Sequence, residues 1–229
     1  MSVNSPIIVA IDTADVGRAC ELVHEVADSI GGYKLGLEFF LANGIEGVQR
    51  VTSYAPQSRL FLDLKLHDIP NTVKGAASAV SALNPFFLTV HASGGGEMIR
   101  AAANSLPNTL ITAVTILTSI DQSELLNVGI AESIDTLAAH MSANAVRNGS
   151  RAIVCSPWEI TQIRAQVGPE ISIITPGVRP NLAGSDDQKR TMTPSQARIL
   201  GADYLVIGRP ITSDSNPGVA AARILSELT

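Results

Sequence analysis

Eight short apolar runs of strand length recur along this chain with helical patterns between them, and that alternation restricts the fold more than any other feature. The runs are Ile7 to Ile11, Tyr33 to Leu35, Leu60 to Lys65, Phe87 to His91, Leu110 to Ile116, Ala152 to Cys155, Ile171 to Thr175 and Tyr204 to Ile207. Between them, Val16, Ala19, Val23, Val26 and Ile30 follow three-and-four spacing, as do Ile69, Val73, Ala76, Val80 and Leu83, and later Ile134, Leu137, Met141 and Ala145. That is the period of an amphipathic helix. Strict alternation of strand and helix implies parallel strands covered by helices. Eight such units in 229 residues predict an α/β fold, a single-domain (β/α)8 TIM barrel over residues 1–229, with an open doubly wound sheet as the structural alternative. No linker or low-complexity tract divides the chain.

Composition narrows the class of function. A hydrophobic content of 45% with 16% charged residues describes a soluble globular protein able to bury a large core. The formal net charge of -5 argues against a general nucleic-acid or anionic-membrane surface, while leaving room for a local basic pocket. Cys20 and Cys155 lie far apart without metal-ligand spacing, so two reduced, buried thiols are expected. The amino terminus has no basic region followed by a long apolar segment, and Pro6 to Ile11 is strand-sized. A cytoplasmic protein with no membrane association is expected.

The stretch Phe61-Leu62-Asp63-Leu64-Lys65-Leu66-His67-Asp68-Ile69-Pro70-Asn71-Thr72 places charge where a buried strand should end. Strand alternation puts Phe61, Asp63 and Lys65 on one face and Leu62, Leu64 and Leu66 on the other. Asp68 follows at the turn into a helix, so ionisable groups of both signs can converge on one small volume, where chemistry is commonly found. A purely structural Asp63–Lys65 ion pair is the plainer alternative. Against it stands the scarcity of lysine: only Lys34, Lys65, Lys74 and Lys189 occur, against twelve arginines. Lys34 and Lys65 both fall at strand ends, and an ammonium can give up a proton where a guanidinium cannot.

In a barrel the carboxyl ends of the strands build the active site, so Asp12, Lys34, Asp63, Lys65, His91, Thr118, Arg179 and Arg209 should share one rim. Barrels often bind phosphate with the loops after strands seven and eight. Pro176-Gly177-Val178-Arg179-Pro180 and Ile207-Gly208-Arg209-Pro210 occupy those loops. Glycine lets backbone amides approach an anion, and arginine offers a planar fork of donors. The stretch Pro176 to Pro194 is polar and poorly periodic, and a phosphate-gripping loop is expected at about 176–193.

These residues resemble the orotidine 5'-phosphate decarboxylases of the short bacterial type, over nearly the whole chain. The matching segments are Ala10-Ile11-Asp12, Tyr33-Lys34-Leu35-Gly36, Asp63 to Thr72, Val90-His91-Ala92, Leu117-Thr118-Ser119, Pro176-Gly177-Val178-Arg179, Asp187-Gln188-Lys189-Arg190 and Gly208-Arg209-Pro210-Ile211. The resemblance implies conversion of orotidine 5'-phosphate to uridine 5'-phosphate in pyrimidine biosynthesis, without cofactor or metal. It implies that Lys34, Asp63, Lys65 and Asp68 form an alternating charge array with Lys65 as proton donor. It also implies a homodimer in which Asp68, Ile69 and Thr72 reach into the partner's site. Asp12 and Lys34 would contact the ribose hydroxyls, and Thr118 and Ser119 would lie by the pyrimidine. Arg179, Gln188, Gly208 and Arg209 would hold the phosphate.

Two rivals compete with this expectation. A magnesium-dependent sugar-phosphate decarboxylase or aldolase of the same barrel suprafamily, such as a 3-keto-gulonate-phosphate decarboxylase or hexulose-phosphate synthase, also resembles Asp-x-Lys-x-x-Asp. Such a site needs carboxylates for a hard cation, where this chain puts Lys34. A noncatalytic phosphate-ligand binding barrel is the other, since fold does not fix function. Of the remaining residues, His67 is a candidate for packing or capping beside the motif, His91 for a satisfied histidine at the rim, His24 and His140 for surface or packing positions in helices, Lys74 for solvated surface, and Trp158 for anchoring the helix it begins.

Overall fold

The computed structural model describes residues 5–180 and 192–228. Its strands are β1 (Ile7–Ile11), β2 (Gly32–Gly36), β3 (Arg59–Leu66), β4 (Phe87–His91), β5 (Leu110–Val114), β6 (Ala152–Val154), β7 (Ser172–Thr175) and β8 (Tyr204–Ile207). Each pairs in parallel with its neighbour, and β8 returns to β1, so the sheet closes into an eight-stranded barrel and the doubly wound alternative falls. The helices are α1 (Val16–Val26), α2 (Leu37–Tyr54), α3 (Pro70–Ala79), α4 (Gly96–Ser105), α5 (Gln122–Asn127), α6 (Ile134–Arg147), α7 (Ile160–Val167), α8 (Pro194–Leu200), α9 (Arg209–Thr212) and α10 (Pro217–Ser226).

Two apolar layers follow from strand alternation. The larger lies between the outer face of the strands and the helices; α1, for example, buries Ala19, Cys20, Leu22, Val23 and Val26. Its start is fixed by Asp15, whose carboxylate accepts from the backbone N–H groups of Gly17 and Arg18. The smaller layer fills the barrel with Ile8, Phe61, Phe87, Ala152 and Ile174. At the amino ends of the strands, Arg59 stacks 4.6 Å from the Phe86 ring centroid and donates to Tyr204 Oη at 2.8 Å. That end is plugged, and space for a ligand remains at the carboxyl end.

The boundaries differ from the sequence expectation in instructive places. The β5 ladder stops at Val114, and Ile116 continues as an apolar wall of a cavity. Ile30 lies beyond α1 although it is buried. Ile69 is not on the inner face of a helix: it caps α3 and is 66% exposed. Trp158 anchors nothing by burial, being 63% exposed; Pro157 and Glu159 beside it are the buried residues of that turn. Cys20 and Cys155 are free and buried, as expected.

Candidate active site

The carboxyl ends of the strands enclose a cavity of about 280 Å³, the scale of a site for one small ligand. Ala10, Phe61, Val114, Ile116, Val154 and Val206 form its apolar walls. Cys155 joins them, and burial pushes its thiol far above the ordinary range, so it serves as an inert wall. The charged groups are Asp12, Lys34, Asp63, Lys65, Arg179 and Arg209, contributed by the ends of β1, β2, β3, β7 and β8.

Asp63 is the centre of the charged set. Its carboxylate is buried and receives Lys65 Nζ at 2.9 Å on both oxygens, Lys34 Nζ at 3.3 Å and the Thr89 hydroxyl at 2.9 Å. Lys34 also reaches Asp12 at 3.4 Å. Signs therefore alternate along Asp12, Lys34, Asp63 and Lys65. Burial alone would lower the pKa of Lys34, but the carboxylates of Asp63 and Asp12 outweigh it and hold the ammonium above its ordinary value. Burial would likewise raise Asp63, and the two lysines with the Thr89 hydrogen bond reverse this and depress it. Both groups stay ionised. Among the described residues no group of three or more His, Cys, Asp or Glu could hold a metal ion, and both sides of Asp63 are already filled by ammonium groups.

Lys65 departs from regular strand geometry. Its φ of 48° is left-handed, and the β3–β4 register shifts between Leu62 and Leu66. This bulge leaves both Asp63 and Lys65 facing the cavity. Beyond it the chain leaves the rim. Asp68 accepts from the N–H of Ile69, which is held extended before Pro70, and Pro70 begins α3.

Asp68 does not join Asp63 and Lys65 in lining the cavity of its own chain. Asp68, Ile69 and Thr72 are exposed and do not line the cavity. Ser119 is exposed and also outside, whereas Thr118 lines the wall. His91 does not line the cavity; it is half-buried and packs on His67 with ring centroids 5.3 Å apart. Burial, His67 and Lys65 hold its pKa below the ordinary histidine value.

After β7 and β8, Pro176, Gly177, Val178, Arg179, Gly208 and Arg209 also line the cavity. Gly177 has φ 77°, a conformation open to glycine and disfavoured for other residues. Val178 pairs with Met192, and the N–H of Arg179 donates to the Met192 carbonyl at 2.9 Å, which ties the two flanks of the loop together. Of the loop expected at about 176–193, residues 181–191, including Gln188, lie outside the described residues.

A sequence model described as the orotidine 5'-phosphate decarboxylase / HUMPS family matches residues 5–224. The chain belongs to this family. Within it, the chain is 49% identical to an orotidine 5'-phosphate decarboxylase of Thermobifida fusca, over 98% of this chain and 96% of that protein. It is 45% identical to the enzyme of that name from Moorella thermoacetica, over 100% of this chain and 94% of the relative. A crystal structure of orotidine 5'-phosphate decarboxylase from Lactobacillus acidophilus superposes with TM-score 0.86 at 32% identity, covering 98% of this chain and 99% of that one. The segment Asp63 to Thr72 is split in space. Asp63 and Lys65 sit in the cavity, while Asp68, Ile69 and Thr72 stand outside it.

Thr89 was not singled out by sequence reasoning. A threonine inside a strand carries no local signal, because its importance depends on what β3 places opposite it.

Proposed function

We propose that this chain decarboxylates orotidine 5'-phosphate to uridine 5'-phosphate, as a cytoplasmic homodimer needing neither cofactor nor metal. The observation that carries the reading is one cavity lined by Lys34, Asp63 and Lys65 in mutual contact and by two arginines from the loops after β7 and β8.

Loss of CO2 leaves the bonding electron pair on C6 of the pyrimidine, with no adjacent carbonyl able to delocalise it well. Stabilisation must come from fixed charge. The Lys65 ammonium supplies it, then transfers a proton to C6 and recovers one from water. Preorganised donors aimed at developing charge are commonly the largest catalytic contribution. Asp63 orients Lys65, and Lys34 with Asp12 engages the ribose hydroxyls. Thr118 lies by the base, and Arg179, Gly208 and Arg209 with Gln188 hold the phosphate. Asp68, Ile69 and Thr72 complete the site of the partner subunit, and Ser119 lies with Thr118 by the pyrimidine.

The direct test follows the absorbance change of orotidine 5'-phosphate with purified protein in excess EDTA. Conversion to uridine 5'-phosphate at full rate is expected. No conversion by folded protein would favour the magnesium-dependent sugar-phosphate chemistry or a binding role, and conversion that vanishes with chelator would overturn the metal-free mechanism.

Phosphate contacts make a further prediction. Charge-assisted hydrogen bonds are worth roughly 1.5–3 kcal/mol each, so orotidine without its phosphate should lose at least about a hundredfold in kcat/KM. Binding energy from this remote group supports alignment at C6, so part of the loss should fall on kcat. Equal rates for nucleoside and nucleotide would remove the phosphate site.

A further inference from the structure

Thr89 lies in the middle of β4 with no exposure to solvent and does not line the cavity, yet its hydroxyl touches both central residues of the array. Thr89 Oγ1 accepts from the backbone N–H of Lys65 at 2.8 Å and donates to Asp63 Oδ1 at 2.9 Å. The direction of both bonds is forced. A backbone amide is only a donor and an ionised carboxylate is only an acceptor, so the hydroxyl proton must point at Asp63.

The position of these bonds matters. The parallel ladder between β3 and β4 shifts register between Leu62 and Leu66, which interrupts the regular backbone pairing at Lys65. Lys65 is also one of only two non-glycine residues among those described with positive φ, a conformation disfavoured for a side chain with a Cβ. Such a backbone persists only where its surroundings over-determine it. Within this interruption the Thr89 hydroxyl receives the Lys65 N–H. The same oxygen, through its proton, fixes the carboxylate that holds the Lys65 ammonium.

We propose that Thr89 is a positioning residue for the decarboxylation. It locks the left-handed backbone of Lys65 and the orientation of Asp63 with one buried hydroxyl, and so sets where the Lys65 ammonium stands. Its effect on rate rests on the decarboxylase reading above; its effect on the Lys65 backbone does not.

The test uses full-length Thr89→Val, which keeps the branched shape and loses the hydroxyl, beside Thr89→Ser, which restores the hydroxyl. Misplacing a catalytic group by about 1 Å can cost about a hundredfold, so Thr89→Val should lower kcat about 10- to 100-fold. KM should stay within about threefold, because no substrate contact is removed. Hydrogen exchange at the Lys65 amide should accelerate about tenfold or more as its acceptor is lost. Thr89→Ser should stay near wild type in both measurements. Should Thr89→Val fail to fold, Thr89→Ala, which is smaller and also lacks the hydroxyl, is read in the same way. The proposal is overturned if the hydroxyl-free variant keeps wild-type kcat and Lys65 protection, if Thr89→Ser falls as far as Thr89→Val, or if the loss lies in KM. Were wild type itself inactive on orotidine 5'-phosphate, the decarboxylase reading would fail, and the Lys65 exchange rates of the valine and serine variants would still decide the positioning role.

Discussion

Replacing Lys65 with alanine is expected to lower kcat for orotidine 5'-phosphate by at least about 10⁴-fold, the product of a lost electrostatic donor and a lost proton donor. The fold should survive the change. Asp63 would keep Lys34 at 3.3 Å and the Thr89 hydroxyl at 2.9 Å, so its buried charge retains two partners. Lys65 itself is 37% exposed, so truncating it removes a partly solvated ammonium and leaves Asp63 with the two partners just named. Circular dichroism and thermal unfolding should therefore change little while turnover collapses. Lys65→Arg separates the two roles of the ammonium. It preserves positive charge but holds its proton at any accessible pH, so it too should be almost inactive. Activity of Lys65→Ala within tenfold of wild type would place the proton donor elsewhere.

The barrel was legible because its determinants are local and repeated. Eight strand-length runs separated by helical periodicity leave few alternatives, and the structure closes β1 through β8 in chain order. Ends of elements were harder to read. Ile116 continues the apolar run of β5 because the cavity wall needs apolar residues where the hydrogen-bonded ladder has already stopped. Ile69 fits a helical period with Val73, yet Pro70 starts the helix and leaves Ile69 outside it. Lys34, Asp63 and Lys65 were legible because charge at the end of an apolar strand is rare enough to stand out. Thr89 was not, since its two bonds arise from a register shift between β3 and β4 that no local pattern encodes. The left-handed backbone of Lys65 was hidden for the same reason. A glycine there would have marked the bulge; a lysine conceals it.

The placement of Asp68 has the larger consequence. Asp68 follows Lys65 closely in sequence, yet it is exposed and does not line the cavity, and Ile69 is extended before Pro70 starts α3. Exposure of Asp68, Ile69 and Thr72 fits a segment that serves another copy, and the proposed dimer predicts complementation. A Lys65→Ala chain and an Asp68→Ala chain, each nearly inactive alone, should together regain activity when refolded or co-expressed. In a two-fold dimer each site would take Lys65 from one chain and Asp68 from the other. A mixed dimer therefore has one site with both residues and one with neither. Random pairing at equal amounts makes about half the dimers mixed, so about a quarter of wild-type sites should return. Relative to either variant alone, that is a gain of about a thousandfold or more if Asp68 matters as a charged member of the array should. Differently tagged chains, purified through both tags, would isolate the mixed dimer and raise the expected value to about half of wild type. A mixed dimer of established composition that stays inactive would mean each site draws both residues from its own chain. Asp68 would then have to swing from its contact with the Ile69 N–H onto the rim of its own barrel when substrate binds.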